Sequence, residues 1–187
     1  MSSLFRTLGF TALALAGMHL TADDFGPLMQ VARNTWPEKT TIGVVCNYSH
    51  SAKEVKALAQ AAGPGTLIQV VDIHRRDQLP EAERRLVQAS PDYVVLLAHD
   101  CAVPDYSTEA TFLVRRLATC GVPTISTSSM ALKQGVVFAL GERTHGRLEV
   151  CSKPIGTISV ILPSRETRTQ MASHQQGPAG VHVASLR

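Results

Sequence analysis

A short apolar run near the middle of the chain is the feature that most constrains its fold. Tyr93–Ala98 contains no polar break, with Ser90-Pro91 before it and Pro104-Asp105 after it. So short a run, bounded by turn residues, is typical of a strand buried on both faces. Such strands lie in the middle of parallel sheets, and ligands bind at their carboxyl ends. The sequence His99-Asp100-Cys101, which follows the run, therefore belongs to a candidate binding edge.

Segments of strand and helix character alternate around this run. Apolar runs at 41–46, 67–73 and 123–126 predict three further strands, and the segments between strands carry apolar residues at helical spacing. Ser51 and Glu54 match a capping box, which predicts the start of the first crossover helix. The alternation predicts an α/β fold, a three-layer sandwich whose mostly parallel sheet has the flavodoxin-like order 2-1-3-4-5.

The pattern changes after the fourth strand. Two apolar or alternating segments, 136–140 and 147–150, flank the turn-like stretch 141–146. This arrangement predicts a β-hairpin added to one edge of the sheet instead of another crossover helix.

The start of the chain has the three parts of a secretory signal peptide. Arg6 supplies the positive charge, Leu8–Leu20 is mostly apolar, and Ala22 is a small residue at a candidate cleavage site. The apolar stretch is short for a membrane span. Residues 1–22 are therefore predicted to be a signal peptide, and the protein to be periplasmic or secreted.

The rest of the chain divides into three parts. Residues 23–40 are a lead-in segment with one amphipathic stretch, and Trp36 is expected to cover one end of the core. Residues 41–163 are predicted to form a single α/β domain, since 187 residues with 44% hydrophobic content suit one core. Residues 164–187 are polar and lack periodicity, which predicts a flexible tail.

Composition argues against nucleic acid as a partner. The net charge is only +3, the lysines and arginines are dispersed, and aromatic residues make up 5% of the chain. No motif in the sequence indicates a cofactor, so none is expected.

Four cysteines follow the predicted leader, and an even number in an exported protein favours disulfides. Cys46 and Cys101 end neighbouring strands at one edge of the predicted sheet. Cys120 closes a helix at the opposite edge, where the returning hairpin would bring Cys151. We therefore predict the pairs Cys46–Cys101 and Cys120–Cys151.

Two chemical alternatives use the same edge. Imidazole and thiolate groups there suit zinc or copper, but their spacing is not that of a metal motif, so no metal is predicted. A catalytic Cys101 activated by His99 lacks an orienting third group, and we expect no enzyme. The residues considered for a metal site are Cys46, His50, His74, His99 and Cys101.

Several segments carry a resemblance to a known family. They are Ile42–Ser49 (IGVVCNYS), Glu54–Ala62, Leu96–Asp100, Gly121-Val122-Pro123 and Ser129–Val136 (SMALKQGV). With these segments, the region 41–141 resembles one lobe of the periplasmic solute-binding proteins of ABC importers, in the family related to tryptophan and tyrosine uptake. The resemblance implies a non-enzymatic protein that binds a small polar or amino-acid-like ligand.

Candidate ligand contacts follow from that resemblance. Asn47, Ser49, Asp100 and Ser128 match positions where ligand contacts fall in the family, and Thr127 adds a hydroxyl at the same edge. Amide and hydroxyl groups of this kind hold small polar ligands through hydrogen bonds. The alternative is that polar residues gather there because loops need solvation.

A second resemblance concerns the hairpin. Residues 134–150, together with Trp36-Pro37, resemble small periplasmic repressors of a membrane diguanylate cyclase. This resemblance implies the alternative function, a regulatory protein that docks on a membrane protein partner and forms a homodimer.

Overall fold

The computed structural model describes residues 22–104, 106–144, 147–152, 156–160 and 182–186. Over these residues the chain forms four α-helices, eight strands and two short 3-10 helices. The helices are α1 (Ala22–Thr35), α2 (Tyr48–Ala62), α3 (Leu79–Ala89) and α4 (Thr108–Thr119), and the 3-10 helices are Arg76–Gln78 and Ser129–Gln134. The strands are β1 (Thr41–Cys46), β2 (Leu67–Asp72), β3 (Tyr93–Leu96), β4 (Thr124–Ser126), β5 (Phe138–Thr144), β6 (Arg147–Ser152), β7 (Gly156–Val160) and β8 (His182–Leu186).

The described strands form one sheet in the order β7-β6-β5-β4-β3-β1-β2-β8. Its centre is parallel, with β1 pairing β2 from Thr41–Leu67 to Cys46–Asp72 and pairing β3 on its other side. The predicted order 2-1-3-4-5 is thereby confirmed. Strands β5 and β6 pair antiparallel, so the predicted hairpin is present too, and β7 extends the sheet one strand beyond it.

The end of the described chain differs from the prediction. Residues 182–186, expected to lie in a flexible tail, form β8 and pair in parallel with β2 from Leu67–His182 to Val71–Leu186. The short sequence His-Val-Ala-Ser-Leu carries little strand signal by itself. Strand β2 offers it a free edge, and backbone pairing with that edge needs no particular side chains. The prediction of a tail over 164–187 is therefore wrong for residues 182–186.

Helices cover both faces of the sheet because residues of the central strands alternate between the faces. Ile42, Val44 and Cys46 of β1 belong to the core layer beneath α1 and α2. Val45 belongs to the opposite layer, beneath α3 and α4. This is the expected three-layer sandwich.

The lead-in segment is part of the core. Phe25, Leu28 and Met29 of α1 are at most 1% exposed and pack in the same layer as α2. Burying a side chain of this size stabilises the fold by about 1.5–3 kcal/mol. Leu28→Ala alone should cost about 2–5 kcal/mol, since it would also leave a cavity.

Trp36 covers the amino end of this layer, as expected. Its half-buried ring lies 5.5 Å from the ring of Tyr93 and 5.3 Å from that of Phe138, measured between centroids. The predicted leader lies outside the described residues, apart from Ala22 at the start of α1. Within the part of the chain that is described, no helix is both long and apolar enough to cross a membrane.

Candidate functional site

Four connections of the chain leave the carboxyl edge of the parallel strands β1 to β4. They join β1 to α2, β2 to the first 3-10 helix, β3 to α4, and β4 to the second 3-10 helix. The five candidate ligand contacts lie in or beside the first, third and fourth of these connections. Their hydrogen bonds decide which of them remain available to a ligand.

Asp100 lies at the centre of the edge and is 1% exposed. Its Oδ2 accepts hydrogen bonds from the backbone N–H of Asn47 at 2.8 Å and from the Ser51 hydroxyl at 2.7 Å. Its Oδ1 accepts from the backbone N–H groups of Ala102 and Val103, both at 2.9 Å. The carboxylate therefore joins two connections, and it positions them instead of contacting a ligand. This corrects the role expected for Asp100.

Asp72, at the end of β2, holds the same turn from the other side. Its Oδ1 accepts a hydrogen bond of 2.9 Å from the backbone N–H of Tyr48. The consecutive N–H groups of Asn47 and Tyr48 are thus bonded to two carboxylates, one at the end of β2 and one in the connection after β3. The sequence analysis did not select Asp72. A usable signal was present, because Asp72 ends an apolar strand in the same way that Asp100 follows one.

The start of α2 also differs from the prediction. The helix begins at Tyr48 with Asn47 as its N-cap residue, so Ser51 lies inside the first turn. The Ser51 hydroxyl donates to Asp100 and does not cap the helix. The capping-box prediction was wrong because it considered local spacing alone, whereas a buried acceptor in the connection after β3 was available to the hydroxyl.

Thr127 joins the end of β4 to the end of β3. Its Oγ1 accepts a hydrogen bond of 2.9 Å from the backbone N–H of Ala98, and its own N–H donates to the carbonyl of Leu96 at 3.1 Å. The side chain is only 7% exposed. Thr127 therefore fixes the backbone next to the candidate site, as Asp100 does.

The other three candidates are arranged differently. Asn47 is 8% exposed, and its Oδ1 accepts a hydrogen bond of 2.6 Å from the Ser49 hydroxyl. Ser49 itself is exposed. Ser128 is half-buried, and its hydroxyl accepts from the backbone N–H of Met130 at 3.2 Å. Ser49 and Ser128 are thus the two predicted contacts whose side chains reach the surface.

The hydrogen bonds of the carboxyl edge argue against the alternative that its polar residues serve only to solvate the loops. Asn47, Asp100 and Thr127 are each at most 8% exposed and bond to other parts of the protein. Buried polar groups of this kind fix loop geometry, and a site whose loops are already fixed loses less entropy on binding.

The thiols of the edge are not joined. Cys46 is buried, Cys101 and Cys120 are exposed, and all three are free. The predicted Cys46–Cys101 disulfide is therefore not formed, because Cys46 packs inside the core layer beneath α1 and α2 while Cys101 faces solvent. The pair Cys120–Cys151 involves a side chain outside the described residues.

The surroundings of Cys46 keep its thiol protonated. Burial raises the pKa of Cys46, and the nearby carboxylates of Asp100 and Asp72 raise it further. A thiol in that state is a poor nucleophile and a poor metal ligand.

The histidines do not assemble a metal site. His50, His74 and His99 are all exposed. His74 Nε2 lies 3.6 Å from the Asp72 carboxylate, an isolated surface contact. Among the described side chains, no group of three or more His, Cys, Asp or Glu residues is arranged to hold a metal ion.

A cavity of about 310 Å³ lies beside this edge, between the end of β2 and the start of α3. Charged groups of both signs surround it, and several are paired: Arg75 with Asp77 at 2.8 Å, and Arg85 with Glu81 at 2.9 Å. None of the five predicted contacts lines it, although Asp72 does. The complete lining is Val71, Asp72, Ile73, Arg75, Asp77, Gln78, Glu81, Ala82 and Arg85.

Comparison with known proteins places the fold. No protein-family model matches the chain, and no curated protein matches it significantly. Among solved structures, the chain is similar to a protein from Streptococcus pneumonia described as an ABC domain in complex with L-Trp. The TM-score is 0.54 at 11% identity, covering 88% of this chain and 50% of the other.

A conserved domain protein from Vibrio cholerae O1 biovar El Tor is similar to a comparable degree. The TM-score is 0.52 at 13% identity, covering 90% of this chain and 51% of the other. The chain thus spans about half the length of both neighbours. At these identities the similarities show a shared α/β fold.

Proposed function

We propose that this protein is an exported, non-enzymatic binding protein that recognises a small polar or amino-acid-like ligand at the carboxyl edge of its sheet. Function in the periplasm or outside the cell, and a link to an ABC importer, belong to the same hypothesis. The proposal extends the resemblance of residues 41–141 to a solute-binding lobe.

One observation carries the proposal. The connections at the edge are tied to each other by buried hydrogen bonds, with Asp100 bonding to Asn47 N and Thr127 bonding to Ala98 N. Surface loops that are merely solvated do not need such bonds. A preformed edge that presents the hydroxyls of Ser49 and Ser128 is suited to hold a small polar molecule.

Two further observations agree with this assignment. The Streptococcus pneumonia neighbour was crystallised with L-Trp, which is an amino acid. The cavity beside β2 carries both arginine and carboxylate groups, a combination that suits a molecule with charges of both signs.

The test is a binding screen on the purified protein. Each proteinogenic amino acid is tested by thermal shift, and those that raise the melting temperature are measured by calorimetry. We expect at least one to bind, and Ser49→Ala or Ser128→Ala to weaken its binding. Thr119→Ala removes an exposed hydroxyl from the far end of α4 and serves as the matched control. Failure of every amino acid to bind would reject this ligand class.

Export is tested separately. Residues 1–22 fused to a reporter that is active only outside the cytoplasm should give activity, and Arg6→Glu should reduce it because the positive charge is part of the signal. A reporter that stays inactive would contradict the localisation while leaving the binding proposal intact.

The regulatory alternative has one observation in its favour. Strands β6 and β7 continue the sheet beyond the parallel strands, and β7 is the edge strand of the described sheet. Edge strands can pair with a strand of another protein. Recovery of a membrane protein by the wild type, lost when the charges of the 141–150 hairpin are reversed, would favour this alternative over solute binding.

A further inference from the structure

A second cavity, of about 340 Å³, lies at the amino edge of the sheet, away from the connections described above. Trp36 and Lys39 precede β1, Pro123 precedes β4, and Val137 precedes β5. One wall is the end of α4 and the turn that follows it. The complete lining is Trp36, Lys39, Val114, Ala118, Gly121, Val122, Pro123, Thr124, Gly135 and Val137.

The cavity is apolar with a single charge. Lys39 is the one charged residue in the lining. Its ammonium nitrogen donates to the carbonyl of Asp92 at 2.9 Å and lies 5.5 Å from the centroid of the Trp36 ring. These contacts hold the ammonium group in place, and two of its three N–H bonds remain for another acceptor.

The carboxylate of Asp92, the residue whose carbonyl accepts from Lys39, is not paired with this ammonium group. The Asp92 Oδ2 accepts from the backbone N–H groups of Thr40 and Thr41, at 2.9 and 2.8 Å. Lys39 takes part in no ion pair among the described residues. A held cation without an ionic partner, next to apolar walls, favours an anionic guest.

Thr124, one of the lining residues, carries a buried hydroxyl without a hydrogen-bond partner among the described residues. The residue is 3% exposed. Its carbonyl, in contrast, accepts from the N–H of Val137 at 2.8 Å. Buried hydroxyls are almost always bonded, so Thr124 is an exception. Its hydroxyl oxygen is covered by the protein, and the preference for an anionic guest therefore rests on Lys39.

We propose that this amino-edge cavity binds a small organic anion with a flat apolar body, of the aromatic carboxylate class. The carboxylate pairs with Lys39, and the ring packs against Trp36 and the valine side chains. The volume lies at the lower end of the range for small-molecule sites, about 300–1,000 Å³. The proposal does not rest on the function of the carboxyl edge, since the two sites share no residue.

The chain contains its own reporter for this site. Trp36 is the only tryptophan of the 187 residues, so tryptophan fluorescence reports on the cavity wall alone. The protein is titrated with phenylacetate, with the neutral phenylacetamide and with the cationic phenethylamine. We expect a saturable fluorescence change with phenylacetate and affinity at least about tenfold lower for the other two, because only the anion can pair with Lys39.

Variants locate the binding. Lys39→Gln should lower the affinity for phenylacetate by about tenfold. Lys39→Arg should retain most of that affinity because the positive charge is kept. Lys56→Gln, at an exposed lysine on α2, is the matched control. Ala118→Leu, at an exposed position of the wall, should reduce binding by filling space without altering charge.

Three results would overturn the proposal. They are no saturable change at millimolar phenylacetate, equal affinity for the acid and its amide, or a Lys39→Gln variant that binds like Lys56→Gln. Thermal melts of each variant show whether it is folded, and retained affinity in Lys39→Arg separates loss of charge from loss of fold.

Discussion

The Oδ2 atom of Asp100 accepts a hydrogen bond of 2.8 Å from the backbone N–H of Asn47, 53 positions earlier in the chain. Through this bond, the connection after β3 and the start of α2 share one buried carboxylate. Two backbone N–H groups of its own loop complete the coordination of that carboxylate. The geometry of the carboxyl edge therefore depends on a residue that is not itself accessible to a ligand.

Asp100→Ala should lower the free energy of unfolding by about 3–5 kcal/mol, because several buried donors lose their acceptor. The measurement is urea denaturation followed by circular dichroism. Asp77→Ala is the control, since that carboxylate is 64% exposed and pairs with Arg75 at the surface; it should change stability by no more than about 0.5 kcal/mol. Equal effects of the two substitutions would contradict the positioning role of Asp100.

The same substitution at two threonines should have different effects. Thr127→Val removes the acceptor of the Ala98 N–H and should cost about 1–3 kcal/mol. Thr124→Val removes a buried hydroxyl that has no partner among the described residues, and it should be neutral or stabilising. Threonine is nearly isosteric with valine, so each substitution removes the hydroxyl with little change in packing. The difference between the two denaturation midpoints therefore reports the difference in hydrogen bonding. Destabilisation by Thr124→Val would mean that its hydroxyl is bonded in solution.

Two glycines provide a test of packing. A Cβ atom added at Gly43 of β1 would lie 2.7 Å from Leu86 Cδ1 and 3.1 Å from Val94 Cγ2. Gly43→Ala should therefore destabilise by about 1–3 kcal/mol through overpacking between β1 and α3. Gly26 of α1 has nothing within 4 Å of such an atom, and Gly26→Ala should stabilise by about 0.5–1 kcal/mol. Thermal unfolding should give melting-temperature shifts of opposite sign for the two variants, and shifts of the same sign would contradict the overpacking expected at Gly43.

Alkaline pH should destabilise the protein through Tyr93. Burial raises the pKa of Tyr93 from 10.0 to about 12, with a smaller opposing effect of Arg33. Because the folded-state pKa exceeds the unfolded one, this contribution to stability is complete below about pH 10 and is lost as the pH rises toward 12. The buried Cys46 thiol acts in the same direction from about pH 9 upward.

Denaturation midpoints measured across this alkaline range check the prediction. Tyr93→Phe should flatten the decline, since phenylalanine does not ionise. Tyr106→Phe is the control because Tyr106 is 71% exposed. If Tyr93→Phe and Tyr106→Phe give the same pH dependence, Tyr93 is not the group responsible.

The parallel part of the fold could be predicted because its signals are local. Thr41–Cys46 and Tyr93–Leu96 are apolar runs with turn residues around them, and the helices between strands carry clear apolar stripes. Ser107 caps α4: its hydroxyl accepts a hydrogen bond from the N–H of Ala110, as a serine just before a helix typically does. Handedness of the crossovers then limits the strand order.

The roles of the polar residues could not be predicted in the same way. Ser51 has the same spacing to Glu54 whether it caps a helix or donates to Asp100, and only the arrival of β3 decides between them. Asp100 follows an apolar strand as a ligand-binding acid would, yet its acceptors are occupied by N–H groups from two connections. Strand β8 depends likewise on the free edge of β2, which no local pattern encodes.

The burial of Cys46 has a kinetic consequence. The thiol is 0% exposed beneath α1 and α2, while those of Cys101 and Cys120 face solvent. An alkylating reagent should therefore modify the two exposed thiols within the folded protein and reach Cys46 only when the helical layer detaches. The labelling rate at Cys46, followed by mass spectrometry in the absence of denaturant, then measures how often this layer opens.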